Sequence, residues 1–272
     1  MIAEAAVKRR LRNVLGPAQP NESYIVHAVL GSRPGVMLDI GAHYGSSLAP
    51  FADDGWAVHA FEPDPANRAE LESAFGDRPN VTIIPVAVSD EAGDLMLFTS
   101  ELSTGISSLT PFTDTHRPGR RVPVITMKEY LTDAGISSVD FMKIDVEGYE
   151  RNVLNGYDWT IKPRMIVLEF EDSKTVPLGY SWKDLAAELL DRGYELLVSE
   201  WFPVERYGGA HRWRRLERYP TDLADANAWG NLIAATSVEQ LIPAAQRAVR
   251  RARWRRRIEG VVRPGRLATG GG

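Results

Sequence analysis

From Gly35 onward the chain alternates short apolar runs with polar stretches whose apolar residues fall at helical spacing. VMLDIG (36–41), AVHAFEP (57–63), VTIIPVAVS (81–89), VDFMKIDVEG (139–148) and RMIVLEFE (164–171) have the length and β-branched content of buried strands. Helices are predicted between them, near 46–54 and over 65–75. Strands alternating with helices imply βαβ crossovers and a parallel sheet covered on both faces. The run DLMLFTS (94–100) follows a turn at Glu91-Ala92-Gly93 and is predicted as an added strand rather than part of a crossover. Later, WKDLAAELLDRGYELLVSE (182–200) predicts a helix, a stop at Gly193 and another strand. AWGNLIAATS (228–237) supplies a last strand that returns into the sheet.

The two ends differ from this middle. Residues 2–15 place Ile2, Ala6, Leu11, Val14 and Leu15 at helical spacing between Lys8, Arg9, Arg10 and Arg12, which predicts a short amphipathic helix ending near Gly16-Pro17. SYIVHAVL (23–30) predicts a second. After Ser237, residues 238–262 are compatible with a basic helix, followed by the frayed RPGRLATGGG (263–272). The expected organisation is a helical cap over 1–34, one principal α/β domain over 35–237, and a basic helix and tail over 238–272. No repeat period is present.

With 272 residues, 44% of them apolar, the chain is long enough to bury a sizeable core. The formal charge of −4 argues against a general nucleic-acid binder, because binding to phosphates needs a cationic face. Charge is unevenly spread: nine arginines and one acid, Glu259, lie between Arg247 and Arg266. That segment suits peripheral contact with an anionic membrane or glycolipid, contacts within a homodimer, or plain solvation. Cysteine is absent, which excludes disulfides, thiolate metal sites and cysteine nucleophiles. No apolar run approaches the roughly 20 residues of a membrane span, and the N-terminal residues lack a secretory signal pattern, so a cytoplasmic location is expected.

The stretch 36–45 runs from an apolar strand into a turn with glycines at 41 and 45, then a helix start. Glycines permit close backbone approach, and a helix N-terminus offers unpaired N–H groups. Glu62 ends the next apolar run, 21 residues after Gly41, where a carboxylate can accept both ribose hydroxyls of an adenosyl ligand. The turn lacks the G-x-G-x-x-G spacing that admits a pyrophosphate, so a nucleoside cofactor without phosphates is preferred over a nicotinamide dinucleotide.

The ordered set DIGAHYG, AFEPDP, PVAVSD, ISSL, VPVITMKEYL, FMKIDVEGYE and VLEFE closely resembles the FkbM family of S-adenosylmethionine-dependent O-methyltransferases, over roughly residues 35–172 with an echo at WGNLIA. The resemblance implies a doubly wound, Rossmann-like class I methyltransferase fold with a mostly parallel seven-stranded sheet and helices on both faces. It implies that Asp39, Gly41 and Gly45 shape the methionine end of the donor pocket, that His43 faces the cofactor or substrate, that Glu62 binds ribose, and that Val88-Ser89-Asp90 border adenine. Many relatives carry Asn where this chain has His43. The family's usual acceptors are hydroxyls of sugars or polyketides, and the Arg- and Ala-rich composition fits a high-GC bacterial source. A sugar in a bacterial glycan, glycolipid or glycosylated natural product is therefore the expected acceptor.

Asp145 ends a central strand and should face the same crevice, and the next strand delivers Glu169, with Glu171 just beyond. Carboxylates converging at strand tips can raise one another's pKa, orient sugar hydroxyls, or bind a hard cation such as Mg²⁺ through Asp145, Glu169 and Glu171. A sugar hydroxyl is a weak nucleophile at neutral pH, so a base or a Lewis acid is needed. Asp145, Glu169, His43 and His211 are the catalytic candidates, and the pattern does not choose the base. The aromatic-rich segment 200–219 (Trp201, Phe202, Tyr207, His211, Trp213, Tyr219) is expected to form a carbohydrate lid, and 103–120 a second mobile loop over the cleft. The alternative of another class is a noncatalytic glycan-binding module on the same fold.

Overall fold

The computed structural model describes residues 19–31, 33–207, 209 and 211–262. The helix expected over 2–15 and the tail 263–272 lie outside the described residues. Eleven strands form two sheets among the described residues. The larger has the order β10-β9-β11-β8-β7-β1-β2-β3, from β1 (Val36–Ile40), β2 (Ala57–Phe61), β3 (Val81–Ile84), β7 (Phe141–Ile144), β8 (Met165–Glu171), β9 (Glu195–Trp201), β10 (Trp213–Arg218) and β11 (Trp229–Ala235). The five strands from β3 to β8 are parallel, whereas β11 runs antiparallel between β8 and β9.

Side chains alternate between two apolar layers with the strand period of two. Leu38, Ile40, Met142, Ile144, Ile166, Leu168 and Leu232 face the layer built with Leu131, Val153, Trp182 and Leu185 from helices α4 (Met127–Asp133), α5 (Glu150–Asn155) and α7 (Trp182–Asp191). Met37, Phe141, Met165, Val167 and Ile233 face the other. There they meet Ile25, Phe51, Leu71 and Ala245 from α1 (Glu22–Leu30), α2 (Ala49–Asp53), α3 (Pro65–Phe75) and α8 (Ile242–Val262). Strands buried on both faces read as nearly continuous apolar runs, which is why β8 is buried along its whole length. Helix starts are fixed locally: Asp64 accepts from the Ala66 amide ahead of Pro65, and Thr126 and Ser181 form capping boxes. Helices α1 and α8 pack against each other, so the residues flanking the α/β core complete one of its layers.

The doubly wound α/β class is as expected, with three corrections of detail. The large sheet has eight strands, not seven, because Trp213–Arg218 pairs with the β9 edge. The aromatic-rich segment 200–219 is thus largely an edge hairpin. Charge caps that edge: Arg215 reaches Glu200 at 2.6 Å and Arg218 reaches Glu195 and Glu239. Next, VTIIPVAVS is two strands, since Pro85 interrupts the ladder and β4 (Ala87–Ser89) leaves for a second sheet of order β4-β6-β5 with β6 (Arg117–Thr126) and β5 (Gly93–Thr99). Finally, the end of the expected loop 103–120 already belongs to β6, and the loop is tied down by pairing of Phe98 with Ser108 and by the buried His116, whose ring lies 2.8 Å from the Ile106 carbonyl.

The chain reverses direction of growth between β1, which continues to β2 on one side, and β7 on the other. In an open parallel sheet that switch point leaves a crevice outside the carboxyl ends of the strands. Among the described residues, no helix is long and apolar enough to cross a membrane.

Close packing in the sheet gives a contrast between two glycines. A Cβ on Gly230 of β11 would lie 1.9 Å from the Ser199 carbonyl, whereas one on Gly135 (φ +65) would meet open space. Gly230→Ala is expected to destabilise by about 2–3 kcal/mol, and Gly135→Ala by about 1 kcal/mol from left-handed backbone strain alone. Denaturant unfolding of both variants checks the order.

Candidate active site

The first strand tip is held by protein rather than left open. Gly41 and Ala42 both donate to the Phe61 carbonyl, at 3.1 and 3.0 Å. A Cβ on Gly41 (φ +82) would sit 1.8 Å from the Asp145 carbonyl, and one on Gly45 (φ +79) would sit 2.5 Å from the ring of Phe75. The two glycines therefore let the turn nest against a neighbouring strand tip and against α3. Between them His43 takes a left-handed conformation (φ 50) and stacks on Tyr44 at 3.7 Å. Glu62, beyond the second strand, binds this turn: one carboxylate oxygen accepts from the His43 amide and the other from the Asp64 amide, both at 2.8 Å. Burial pushes its pKa up to about 7 despite those donors. Each oxygen still has a lone pair for a ligand hydroxyl.

A cavity of about 280 Å³ opens from this turn along the strand tips. His43, Glu62, Asn67, Val88 and Asp145 line it, and the segment 104–109 roofs it. The roof is bolted on three sides. Thr104 Oγ1 lies 2.7 Å from the Tyr44 hydroxyl, Ser107 donates to Asp64 at 2.8 Å, and Ser108 donates to the Glu147 carbonyl at 2.7 Å. Asn67 also donates to the Thr104 carbonyl at 3.1 Å.

Lys143 neutralises the floor of this cavity. Its ammonium lies 3.0 Å from Asp145 and 3.7 Å from the fully buried Asp39. Burial alone raises a carboxylate, and it does raise Asp39. For Asp145 the same burial is outweighed by Lys143, so this group stays below its ordinary value and ionised. Burial opposes the charge on Lys143, yet Asp145 and Asp39 hold it well above the usual lysine range.

A second cavity of about 120 Å³ adjoins the first and shares Gly105, Glu147, Glu169 and Trp229 with it. Its remaining wall includes Glu171, Lys174, Tyr207 and His211. Glu169 and Glu171 sit two apart on β8 and so point the same way. Lys174, from the short helix α6 (Asp172–Thr175), touches Glu147 and lies 2.8 Å from Glu171 and 3.5 Å from Glu169. Burial, followed by the charge of Asp145, holds Glu169 well above the usual carboxylate range, and burial pushes Glu147 up to about 7. His211 packs edge-on against Trp229 at 5.0 Å, and burial lowers its pKa, as it does that of His43.

The tertiary structure therefore brings His43, Gly41, Glu62, Val88, Asp145 and Glu169 to one cavity, and Glu169, Glu171 and His211 to its neighbour. Asp39 lies behind the wall, where it accepts from Ser47 at 2.6 Å. Gly45 packs on α3, and Ser89 is turned away, donating to Asp90, which also accepts from Asn152. Of the three expected metal ligands, Asp145 and Glu169 group with Glu147, their oxygens within 4.8 Å of one another, whereas Glu171 pairs with Lys174. These hard oxygens suit Mg²⁺ in kind. The ammonium of Lys174 already stands among them, however, so the residues present do not fit a divalent ion.

Sequence reasoning passes over Lys143, Glu147, Asn67 and Lys174. Two of them carry a signal: Lys143 precedes Asp145 by two on a strand and so shares its face, and Lys174 follows Glu171 by three in a helical turn.

The family model for the methyltransferase FkbM domain matches residues 39–196. The 2-O-methyltransferase NoeI of Sinorhizobium fredii is 27% identical over 191 residues, covering 62% of this chain and 79% of that protein. The 31-O-demethyl-FK506 methyltransferase FkbM of Streptomyces tacrolimicus is 31% identical over 187 residues, covering 55% of this chain and 70% of its own. Among solved structures, methyltransferase FkbM from Methylobacillus flagellatus aligns with a TM-score of 0.46 at 17% identity, over 79% of this chain and 48% of that one.

The ion-paired floor generates a stability prediction. Lys143→Met leaves Asp39 and Asp145 buried without their cation and is expected to cost about 3–5 kcal/mol, read as a shift of the urea midpoint.

Proposed function

Since the chain belongs to the FkbM methyltransferase family and is an S-adenosylmethionine-dependent O-methyltransferase, we propose that it methylates a hydroxyl of a sugar, carried in a glycan, glycolipid or glycosylated natural product. The observation that supports this most is the second cavity. It joins the aromatic side chains of Trp229 and Tyr207 to Glu147, Glu169 and His211, directly beside the larger cavity. Aromatic faces stack on the C–H faces of a sugar ring, and carboxylates and imidazole bond its hydroxyls.

On this reading the larger cavity takes the methyl donor. Glu62 accepts the ribose hydroxyls, Val88, Leu97 and Leu109 enclose the adenine, and the ionised Asp145 faces the positive sulfonium. When bound, S-adenosylmethionine supplies a methyl group for in-line displacement from sulfur. Positioning of the acceptor oxygen opposite that sulfur is the protein's main contribution, worth up to about 7–11 kcal/mol in well-oriented systems.

The acid–base roles follow from the local fields. Burial, followed by the charge of Asp145, raises Glu169 well above the ordinary carboxylate value, which suits it to orienting hydroxyls rather than taking a proton. His211, lowered from 6.5 by burial, is neutral at neutral pH and lines the same cavity, so its imidazole has a nitrogen able to accept a proton. It is the group we assign to take the proton of the acceptor hydroxyl, while Glu147 and Glu169 orient the ring.

Calorimetric titration with S-adenosylhomocysteine should give a Kd at least about tenfold weaker in Glu62→Ala. With a free-protein pKa of about 7 for Glu62 and an ionised carboxylate in the complex, affinity should fall about tenfold from pH 8 to pH 6. A panel of methyl glycosides, assayed by mass for added methyl, tests the acceptor class. Methylation of other alcohols but of no sugar would sink it. In His211→Gln, kcat on a positive acceptor should drop about 100-fold or more with S-adenosylhomocysteine binding unchanged. The wild-type rate should fall as pH drops through the lowered His211 pKa, and an unchanged profile in the variant would remove His211 from the role.

A further inference from the structure

The lysine at the heart of the second cavity is placed by several independent features. Helix α6 begins directly after β8 and turns Lys174 back over the strand tip, leaving its side chain 3% exposed. Three carboxylates on two elements converge on the ammonium: Glu147 from the turn after β7, and Glu169 and Glu171 from β8. The ring of Phe112 covers it at 5.1 Å. Two backbone features make room. Gly148 (φ +101) presents no side chain where a Cβ would lie 3.3 Å from that of Lys174, and Glu147 itself takes a left-handed conformation (φ 59) that is uncommon outside glycine.

The same acids are the ones whose oxygens gather closely enough to chelate, since Glu147 and Glu169 belong both to the lysine cluster and to the trio with Asp145. A divalent ion would demand oxygens at about 2.0–2.1 Å in near-octahedral array. It would also stand next to a like charge in a poorly solvated site, where repulsion is strong. Lysine removes that demand, because an ammonium needs no fixed coordination shell: it hydrogen-bonds Glu147 and stands 2.8 Å from Glu171 and 3.5 Å from Glu169.

We propose that Lys174 is the resident cation of the acceptor cavity: it holds Glu147 and Glu169 at the border with the donor cavity in place of a divalent ion. The intact enzyme then needs no Mg²⁺, and removing the ammonium converts Asp145, Glu147 and Glu169 into a divalent-cation site. The assignment rests on the reading of this cavity as the acceptor side. Lys174 acts as a positioning residue, through the carboxylates it holds.

The test is Mn²⁺ binding followed by electron paramagnetic resonance with Mg²⁺ competition, on the full chain and on Lys174→Met, Lys174→Arg and the double variant Lys174→Met/Glu169→Gln. S-adenosylhomocysteine titration on each reports whether the fold and donor cavity survive. The intact protein and Lys174→Arg should leave Mn²⁺ free. Lys174→Met should bind one Mn²⁺, displaced by Mg²⁺, with affinity on the order of tenfold or more above the intact protein, and the double variant should lose that gain. One equivalent bound by the intact protein and lost in Glu169→Gln would overturn the proposal. So would a Lys174→Met protein that binds S-adenosylhomocysteine normally yet takes no Mn²⁺. If Lys174→Met does not fold, Lys174→Gln, which keeps a polar head among the acids, carries the same arm. Failure of the sugar-acceptor reading would appear in the glycoside panel and leave the Mn²⁺ results unchanged.

Discussion

Carboxylates on neighbouring strand tips repel one another and resist burial, and here that cost is met by two lysines inserted among them. Lys143 sits between Asp39 and Asp145, and Lys174 among Glu147, Glu169 and Glu171. Each cation sets a different protonation state around it. Asp145 is held below its ordinary value because Lys143 is 3.0 Å away, whereas burial and the charge of Asp145 hold Glu169, 3.5 Å from Lys174, well above its own. Groups of one chemical type thus titrate in opposite directions according to their neighbours.

The rest of the architecture can be understood as the means of keeping that cluster dry and in register. The parallel strands bring the tips of β1, β7 and β8 side by side, and the glycine turn after β1 fits only because Gly41 leaves no Cβ against the Asp145 carbonyl. The three-stranded sheet serves the roof. It splits off where Pro85 breaks the run after β3, and the segment between β5 and β6 crosses the crevice, pinned to Tyr44, Asp64 and the Glu147 carbonyl. Both cavities border the roof residue Gly105, so one loop bounds the two together.

The antiparallel half of the sheet contributes much of the wall of the smaller cavity. β11 inserts between β8 and β9, which sets Trp229 beside Glu171 and stacked on Trp201 at 5.1 Å. The segment after β9 then returns His211 and Tyr207 toward the carboxylates before β10 closes the edge. Helix α1 joins the same end, its buried Glu22 accepting from Ser199 and Trp201. The aromatic segment is therefore divided between sheet edge and cavity wall rather than acting as one lid.

The sequence by itself determined the doubly wound class, because strand runs such as 36–41 and 164–171 are apolar throughout and the helices between them carry the longer period. It also determined which acids lie at strand tips, since Glu62 and Asp145 each close an apolar run and Glu169 lies near the end of another, and the ordered motifs carried the family. Only the tertiary structure decided what those acids meet. The spacing of Lys143 and Lys174 to Asp145 and Glu171 shows only a shared face, and their burial depends on strand tips and a short helix converging from distant segments. For the same reason Glu147 replaced Glu171 beside Asp145 and Glu169, and Asp39, Gly45 and Ser89 fell behind the wall. Period and composition fix which face a residue occupies, whereas charge partners and cavity walls arise from contacts between segments far apart in sequence, which local pattern does not encode.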